Sequence, residues 1–210
     1  VAAAMLGPGA LECAPLPASH NDVYRVSHQG SSYLLKRFPA DREQSLVREV
    51  RLSRHLVRHG WTATPRLLAT HSDESGHFAL YEFIEGESLS KVWESDSARI
   101  PEDLHRLGVL LGELHAVPLQ NADLTPEETL FTPAYFERMC ETLNPGRTRL
   151  RVRMERCFDR VCEGHACLGE VVLHGDYGPH QIVVGQNETW HLLDFEFAVR
   201  GPFADDLGAC

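Results

Sequence analysis

Two acidic turns constrain this chain more than any other feature. The stretch "VVLHGDYGPHQIVV" (171–184) runs from an apolar segment into His174-Gly175-Asp176, turns through Gly178-Pro179, and re-enters an apolar segment, Ile182-Val183-Val184. Shortly after, "HLLDFEF" (191–197) places Asp194 at the end of another short apolar run. Apolar runs of this length bounded by Gly and Pro read as buried strands. A carboxylate at the mouth of such a strand is unfavourable unless it is paired or holds a cation. The pattern therefore predicts two loops that share a cationic occupant. Asp as a plain turn former is the competing reading. The repetition, with apolar strands on both sides, weighs against it.

The rest of the chain reads as α+β. "ALECAPLP" (10–17) is a weak strand. Residues 22–38 form a hairpin, with Val23, Arg25 and Ser27 alternating, a Gln29-Gly30 turn, and Tyr33-Leu34-Leu35-Lys36 returning. Residues 41–60 are helical, with Leu46, Val47, Val50, Leu56 and Val57 recurring at helical spacing and Gly60 as the stop. Two strands follow Pro65, around a Ser-Asp-Glu-Ser-Gly turn. A helix over 100–117 presents Leu104, Leu107, Leu111 and Leu114, opened by Pro101 and closed by Pro118. Residues 133–143 and 149–164 suggest two further helices. The expected organisation is a strand-rich N-terminal nucleotide-binding lobe (1–84) and a mainly helical lobe (85–210) that carries the catalytic and metal-binding loops on a small hairpin. A hinge is expected near Glu85-Gly86.

Composition excludes several classes of function. A net charge of −10 argues against binding a nucleic-acid backbone. The one basic stretch, Arg147 to Arg156, alternates with apolar residues and reads as a solvated helix face. No apolar run approaches the roughly 18 residues of a membrane span. The apolar N-terminus lacks the basic flank of a signal peptide. The chain starts with Val, so a fragment, or translation from Met5, is expected. Six cysteines (Cys13, Cys140, Cys157, Cys162, Cys167 and Cys210) form no CxxC pair and are read as reduced, mostly buried thiols of a cytoplasmic protein. His55 and His59, one helical turn apart, are read as surface histidines rather than a metal site. His115 is read as a packed residue at a helix end.

Lys36 lies mid-strand, a poor place for an ammonium without a task. Glu49, on the following helix, can reach back and fix it, leaving the Lys to grip phosphate oxygens as a point charge. Asp176 and Asp194 would face the same cleft. One can hold Mg2+, a hard cation that takes oxygen ligands and bridges phosphates. The other can accept a hydroxyl proton. These are the parts of a phosphoryl-transfer centre.

With "HGDYGPHQ", "LLDFEFA" and "RGPFADDL" in order, preceded by "SHNDVYRV", "YLLKRF", "REVRLSRHL", "LYEFIEGESL" and "LGELHAV", the chain resembles the aminoglycoside phosphotransferase / choline kinase-like family from about residue 14 onward. This is the small-molecule branch of the protein-kinase-like fold. The resemblance implies a bilobal α+β fold and a Mg2+-dependent transfer of the γ-phosphate of ATP or GTP to a hydroxyl of a small polar molecule. An aminoglycoside or amino alcohol would suit the acidic balance. It implies Asp176 as catalytic base. Asp194 and Gln181 become metal ligands, with Glu196 assisting. Ser19 and Asn21 lie in the loop over the phosphates, Lys36 and Glu49 form the phosphate-gripping pair, and the backbone from Glu82 to Ile84 receives the base. His174 and Asp206 brace the loop. Gln181 stands where the family pattern has Asn, and the chain ends soon after the Asp206 segment, where family members continue into helices that wall the acceptor pocket. Three readings stand side by side. The first is a small-molecule kinase. The second is a kinase-like protein that binds nucleotide or a partner without turnover. The third and weakest is a protein kinase, which lacks here its Gly-rich loop, Asp-Phe-Gly and Ala-Pro-Glu.

Overall fold

The computed structural model describes residues 1–17, 21–120, 122, 124 and 169–209. Its N-terminal part is a five-stranded antiparallel sheet, ordered β1 (Leu11–Leu16), β2 (Asp22–His28), β3 (Ser31–Phe38), β5 (Gly76–Glu82), β4 (Leu67–Asp73). The β2–β3 turn is the expected Gln29-Gly30, with φ of 49° and 80°. Two left-handed residues match the twist of the strands they join.

Strand alternation sorts the sheet into two faces. Leu35, Phe78 and Leu80 turn one way, onto Val26 and onto Ala2, Met5 and Leu6 of the short helix α1 (Ala2–Leu6). Phe38, Ala79 and Tyr81 turn the other way, onto Leu46 of helix α2 (Glu43–Arg58). Lys36 is two residues from Phe38 and pairs with Ala79 in register, so its side chain shares the α2 face. That parity, set by the strand, is what brings Lys36 to Glu49.

The α2 stripe differs in phase from the sequence reading. Leu46, Leu52 and Leu56 are buried, whereas Val57 is 56% exposed. The same face also buries Ser45, Glu49, Ser53 and His55. A count of apolar residues alone misplaces a stripe in which polar residues take four of the seven inward positions. Gly60, at φ 76°, ends the helix as expected. His55 is a correction. It is 2% exposed, and its Nε2–H donates to the Pro118 carbonyl at 2.6 Å.

The remaining elements are β6 (Gly86–Ser88), α3 (Leu89–Ser95), α4 (Ile100–His115), β7 (Glu170–Leu173), β8 (Ile182–Gly185), β9 (Trp190–Leu192), β10 (Val199–Pro202) and α5 (Ala204–Ala209). The strands form two ribbons, β6-β8-β9 and β7-β10. The two apolar runs that flank the His-Gly-Asp therefore do not pair with each other, and the acids sit between two ribbons rather than on one hairpin. Close packing of β6 on β8 requires Gly86, where a Cβ would lie 2.2 Å from the Val184 carbonyl oxygen.

One apolar core joins the two ribbons to both long helices. Leu52 and Leu56 of α2 pack with Leu107, Leu110, Leu111 and Leu114 of α4 and with Val172, Ile182, Leu192 and Phe195. Each such side chain contributes about 1.5–3 kcal/mol on burial. Leu104, expected in this core, is 54% exposed, and Leu110 is buried instead. Cys13 is exposed rather than buried. The other five cysteines, Ser19, and the helices expected over 133–143 and 149–164 lie outside the described residues. Among the described residues, no helix is long and apolar enough to cross a membrane.

Candidate active site

A cleft of about 570 Å³ opens between the sheet and the ribbons. Lys36, Glu49, Gln181 and Asp194 line its polar side, and Val23, Leu34, Phe83 and Val183 are among its apolar residues. This size suits a nucleotide-scale ligand.

Lys36 is 4% exposed. Its Nζ donates to Glu49 Oε2 at 2.7 Å and to Asp194 Oδ1 at 2.5 Å, and it lies 3.9 Å from Glu196 Oε2. Burial by itself would lower the pKa of this ammonium. The three carboxylates outweigh burial and raise it, so Lys36 stays charged. Glu49 experiences the opposite balance. Burial pushes its carboxyl pKa up, Lys36 pulls it down, Asp194 adds to the rise, and the net direction is upward. Its second oxygen accepts the Tyr81 hydroxyl at 2.7 Å. Burial and the adjacent Glu49 hold the Tyr81 hydroxyl firmly protonated. Nothing in the sequence reading pointed to Tyr81. The available signal was its strand parity with Ala79, which faces Lys36.

Asp176 and Asp194 occupy turns that the backbone holds in place. Gly175 adopts φ 81°, and a Cβ there would meet the Phe197 carbonyl oxygen at 2.4 Å. Asp194 itself adopts φ 65°, an uncommon conformation for a residue other than Gly. His174 is fully buried, and its Nε2–H donates to the Leu193 carbonyl at 2.8 Å while Nδ1 accepts the Asp176 N–H at 3.3 Å. Both ring nitrogens are engaged as in the neutral tautomer, and burial lowers the imidazole pKa accordingly. Asp206, also fully buried, accepts the His174 N–H at 2.9 Å and the Gly175 N–H at 2.8 Å. His115 donates to the same carboxylate at 2.9 Å, so it ties α4 to this loop rather than merely packing at a helix end.

Asp176 is 42% exposed at its side chain, and its Oδ2 accepts from Gln181 Nε2 at 2.6 Å and from His180 Nε2 at 3.3 Å. Asn21, at the edge of β2, donates to Glu196 Oε2 at 2.6 Å. Glu196 is 1% exposed and also has Arg42 at 3.6 Å. The Glu82 amide donates to the Arg66 carbonyl at 3.0 Å, and the Glu82 carboxylate accepts the Arg66 N–H at 3.0 Å. Of the hinge groups expected to meet a base, the Glu82 N–H is thus already engaged. The backbone of Ile84, which lines the cleft, has no partner among the described residues.

Hard oxygen donors gather on the polar wall: the Asp194 carboxylate, one third exposed, and the Gln181 carboxamide oxygen. Among the described residues no group of three His, Cys, Asp or Glu side chains forms a self-contained metal cage. Such a donor set fits Mg2+, which binds through one or two carboxylates and takes its other ligands from water and phosphate. It does not fit a structural zinc site.

The fold and this geometry can be set beside known proteins. A comparison with curated proteins finds no match. Among solved structures, the chain resembles a candidate aminoglycoside phosphotransferase from Ralstonia eutropha JMP134 (TM-score 0.70, 16% identity), covering 96% of this chain and 63% of that one. It also resembles an aminoglycoside-3'-phosphotransferase of type VIII (TM-score 0.63, 20% identity, 96% of this chain and 77% of that one). A third is a variant of APH(4)-Ia in ternary complex with ADP and hygromycin B (TM-score 0.63, 14% identity, 95% and 72%). These likenesses establish the bilobal kinase-like fold. The chain spans under two thirds of the length of the first of them. The sequence profile of the phosphotransferase enzyme family matches residues 12–210, almost the whole chain, and the chain belongs to that family.

Proposed function

We propose that this chain carries the nucleotide cleft and transfer centre of a Mg2+-dependent kinase that moves the γ-phosphate of ATP or GTP to a hydroxyl of a small polar, cationic molecule. The observation that carries the proposal is the buried Lys36, held at once by Glu49 and by Asp194, which is 158 residues away in sequence, on the wall of the cleft. Family membership and the ADP-bound relative in the same fold support it. The net charge of −10 favours a cationic acceptor such as an aminoglycoside or amino alcohol.

In this reading residues 1–84 form the nucleotide-binding lobe and residues 85–210 the lobe that carries the loops. Ile84 presents free backbone groups to the base, and Ser19 and Asn21 belong to the loop over the phosphates. Lys36, oriented by Glu49, holds phosphate oxygens. Asp194 and Gln181 are the metal ligands. Bound Mg2+ would neutralise charge that develops on the phosphate oxygens. Asp176 aligns the acceptor hydroxyl. With Oδ2 engaged by Gln181 and His180, Oδ1 is the oxygen that receives the proton as the acceptor oxygen bonds to phosphorus and the nucleoside diphosphate leaves. His174 and Asp206 keep the turn rigid. Most of the catalysis is then positioning and electrostatics. A cytoplasmic location goes with this reading, since nucleoside triphosphates and reduced thiols coexist there.

One contact favours a second reading, nucleotide binding without turnover. Gln181 grips Asp176 at 2.6 Å, in the position where the family pattern has the shorter Asn. Thermal-shift titration with ATP and GTP, with and without Mg2+, tests the shared core of both readings. A Mg2+-dependent rise in Tm that is lost in Asp194→Ala is the expected result. A flat response to every nucleotide would overturn both. Mg2+-dependent release of diphosphate by the wild type, abolished in Asp176→Asn, would exclude the second.

A further inference from the structure

Glu196 follows the metal-loop Asp194 by two residues and reads from sequence as an auxiliary metal ligand. Its surroundings argue otherwise. The side chain is 1% exposed, so it has little access to the water that completes a Mg2+ shell. Its Oε2 already accepts from Asn21 Nδ2 at 2.6 Å, with Arg42 at 3.6 Å and Lys36 at 3.9 Å. Arg48 Nη1 reaches the Glu196 backbone carbonyl at 3.5 Å. Thus one carboxylate and its own carbonyl receive groups from the residue just before β2, from the turn before α2, from α2 itself and from the lysine strand. Asn21 is bonded across 175 residues of sequence, and it is the first described residue after the segment 18–20. Its Oδ1 is buried, lines the cleft region, and has no partner among the described residues. Asn21 therefore donates through its amide nitrogen to Glu196, while its buried acceptor oxygen has no partner among the described residues.

We propose that Glu196 is a positioning residue that straps Asn21, at the exit of the phosphate-side loop, to the turn carrying Asp194, and that it is not a metal ligand. The inference rests on the nucleotide-cleft reading above and deepens it. Glu196 holds the roof and the floor of the phosphate end in register before any metal is present. Its carboxylate also lies 3.9 Å from the Lys36 ammonium, behind the closer Glu49 and Asp194, and adds to the negative charge that holds it.

The two roles separate experimentally, because a strap acts on nucleotide binding without metal and a ligand acts only with metal. Nucleotide affinity of the full chain is measured by calorimetry with ATP in EDTA and then across a Mg2+ titration, for wild type, Glu196→Ala, Glu196→Gln and Asn21→Ala. The strap predicts that Glu196→Ala weakens metal-free ATP binding about ten-fold, the loss expected of one buried charged hydrogen bond. Asn21→Ala should reproduce that loss, and the double variant should add little to either single one. Glu196→Gln, whose carboxamide oxygen still accepts from Asn21, should recover most of the affinity, and the Mg2+ midpoint should stay where it is in the wild type. Unchanged metal-free affinity in Glu196→Ala, with a Mg2+ midpoint shifted in both Glu196 variants, would overturn the strap and make Glu196 a ligand. A wild type that binds no nucleotide at all would instead sink the nucleotide-cleft reading. In that event the strap is still judged by thermal melts, where additive losses from Asn21→Ala and Glu196→Ala would refute the contact.

Discussion

Lys36→Met gives the sharpest test of the charge balance at the site. Methionine fills a similar volume, so the apolar contacts of β3 survive and the change is electrostatic. The variant leaves Glu49 at 3% and Glu196 at 1% exposure without their shared ammonium, while Asn21 and Arg42 stay beside the second carboxylate. Removing one partner of a buried ion pair costs about 3–5 kcal/mol when the other is left charged. Because Asp194 is one third exposed and Arg42 remains, the lower end is expected, about 3 kcal/mol near pH 8. For a domain of this size, that is a fall in Tm of about 6–12 °C. The penalty should depend on pH in one direction. Glu49 has a folded-state pKa above its ordinary value because of burial, and loss of Lys36 removes the main influence opposing that rise. A carboxyl with a raised folded pKa is fully compatible with the fold below its unfolded pKa and becomes a burden as pH rises through the folded one. Lys36 itself, with a pKa raised by its carboxylate partners, remains charged throughout neutral pH and adds no pH dependence in this window, so the wild type gains only through the smaller rise of Glu49. Melts in EDTA at about pH 8 and about pH 5.5 should show the gap between variant and wild type narrowing at the lower value. A gap that is constant, or that widens on acidification, would refute the assigned charge states.

Asp176→Asn should bind nucleotide within about two-fold of wild type, while phosphoryl transfer falls by about 10²–10⁴, read from kcat and from Kd separately. Gly175→Ala places a Cβ 2.4 Å from the Phe197 carbonyl oxygen at φ 81°, so a loss of about 3 kcal/mol is expected in urea unfolding. Tyr81→Phe removes the hydroxyl from Glu49 Oε1 while the Lys36 bond remains. The expected loss is about 1–2 kcal/mol by the same assay.

The hairpin, α2 and the Lys36–Glu49 pair were legible because each depends on local period. An alternating strand, a two-residue turn and a helix that follows at once leave few ways to place residue 36 relative to residue 49. The acids were legible for a different reason, the implausibility of two exposed-type side chains beside buried strands. What escaped the reading depends on tertiary partners. The strands β6 and β10 are three and four residues long and contain Gly, so they form only because β8 and β7 offer an edge. The interchange of Leu110 for Leu104, and of Leu52 for Val57, is a rotation of each helix about its axis, set by what packs against it. His55 and His115 looked like surface or packing residues because their partners, the Pro118 carbonyl and Asp206, are 63 and 91 residues distant.

The geometry of the two acidic turns is built mainly from backbone and buried second partners, which explains how it can remain fixed while both carboxylates are partly exposed and Asp194 lines the cleft. The Leu193 N–H donates to the Gln181 carbonyl at 2.8 Å, and the Leu193 carbonyl accepts from His174. The residue just before Asp194 is therefore tied to both ends of the Asp176 loop. Asp206 holds that loop from the other side through two amides. Within this frame Asp194 is kept in a left-handed conformation that costs a residue other than Gly about 1 kcal/mol or more. Gly would relieve the strain, and Asn tolerates it as well as Asp does, so the backbone gives no reason for a carboxylate there. The reason lies in the side chain, which reaches Lys36 and the cleft. A strained acid and a buried Glu pushed toward its neutral form each work against stability, and the lysine between three carboxylates offsets part of that cost. Their convergence on one cleft is the physical pattern of a candidate functional site, where local rules of stability are broken together.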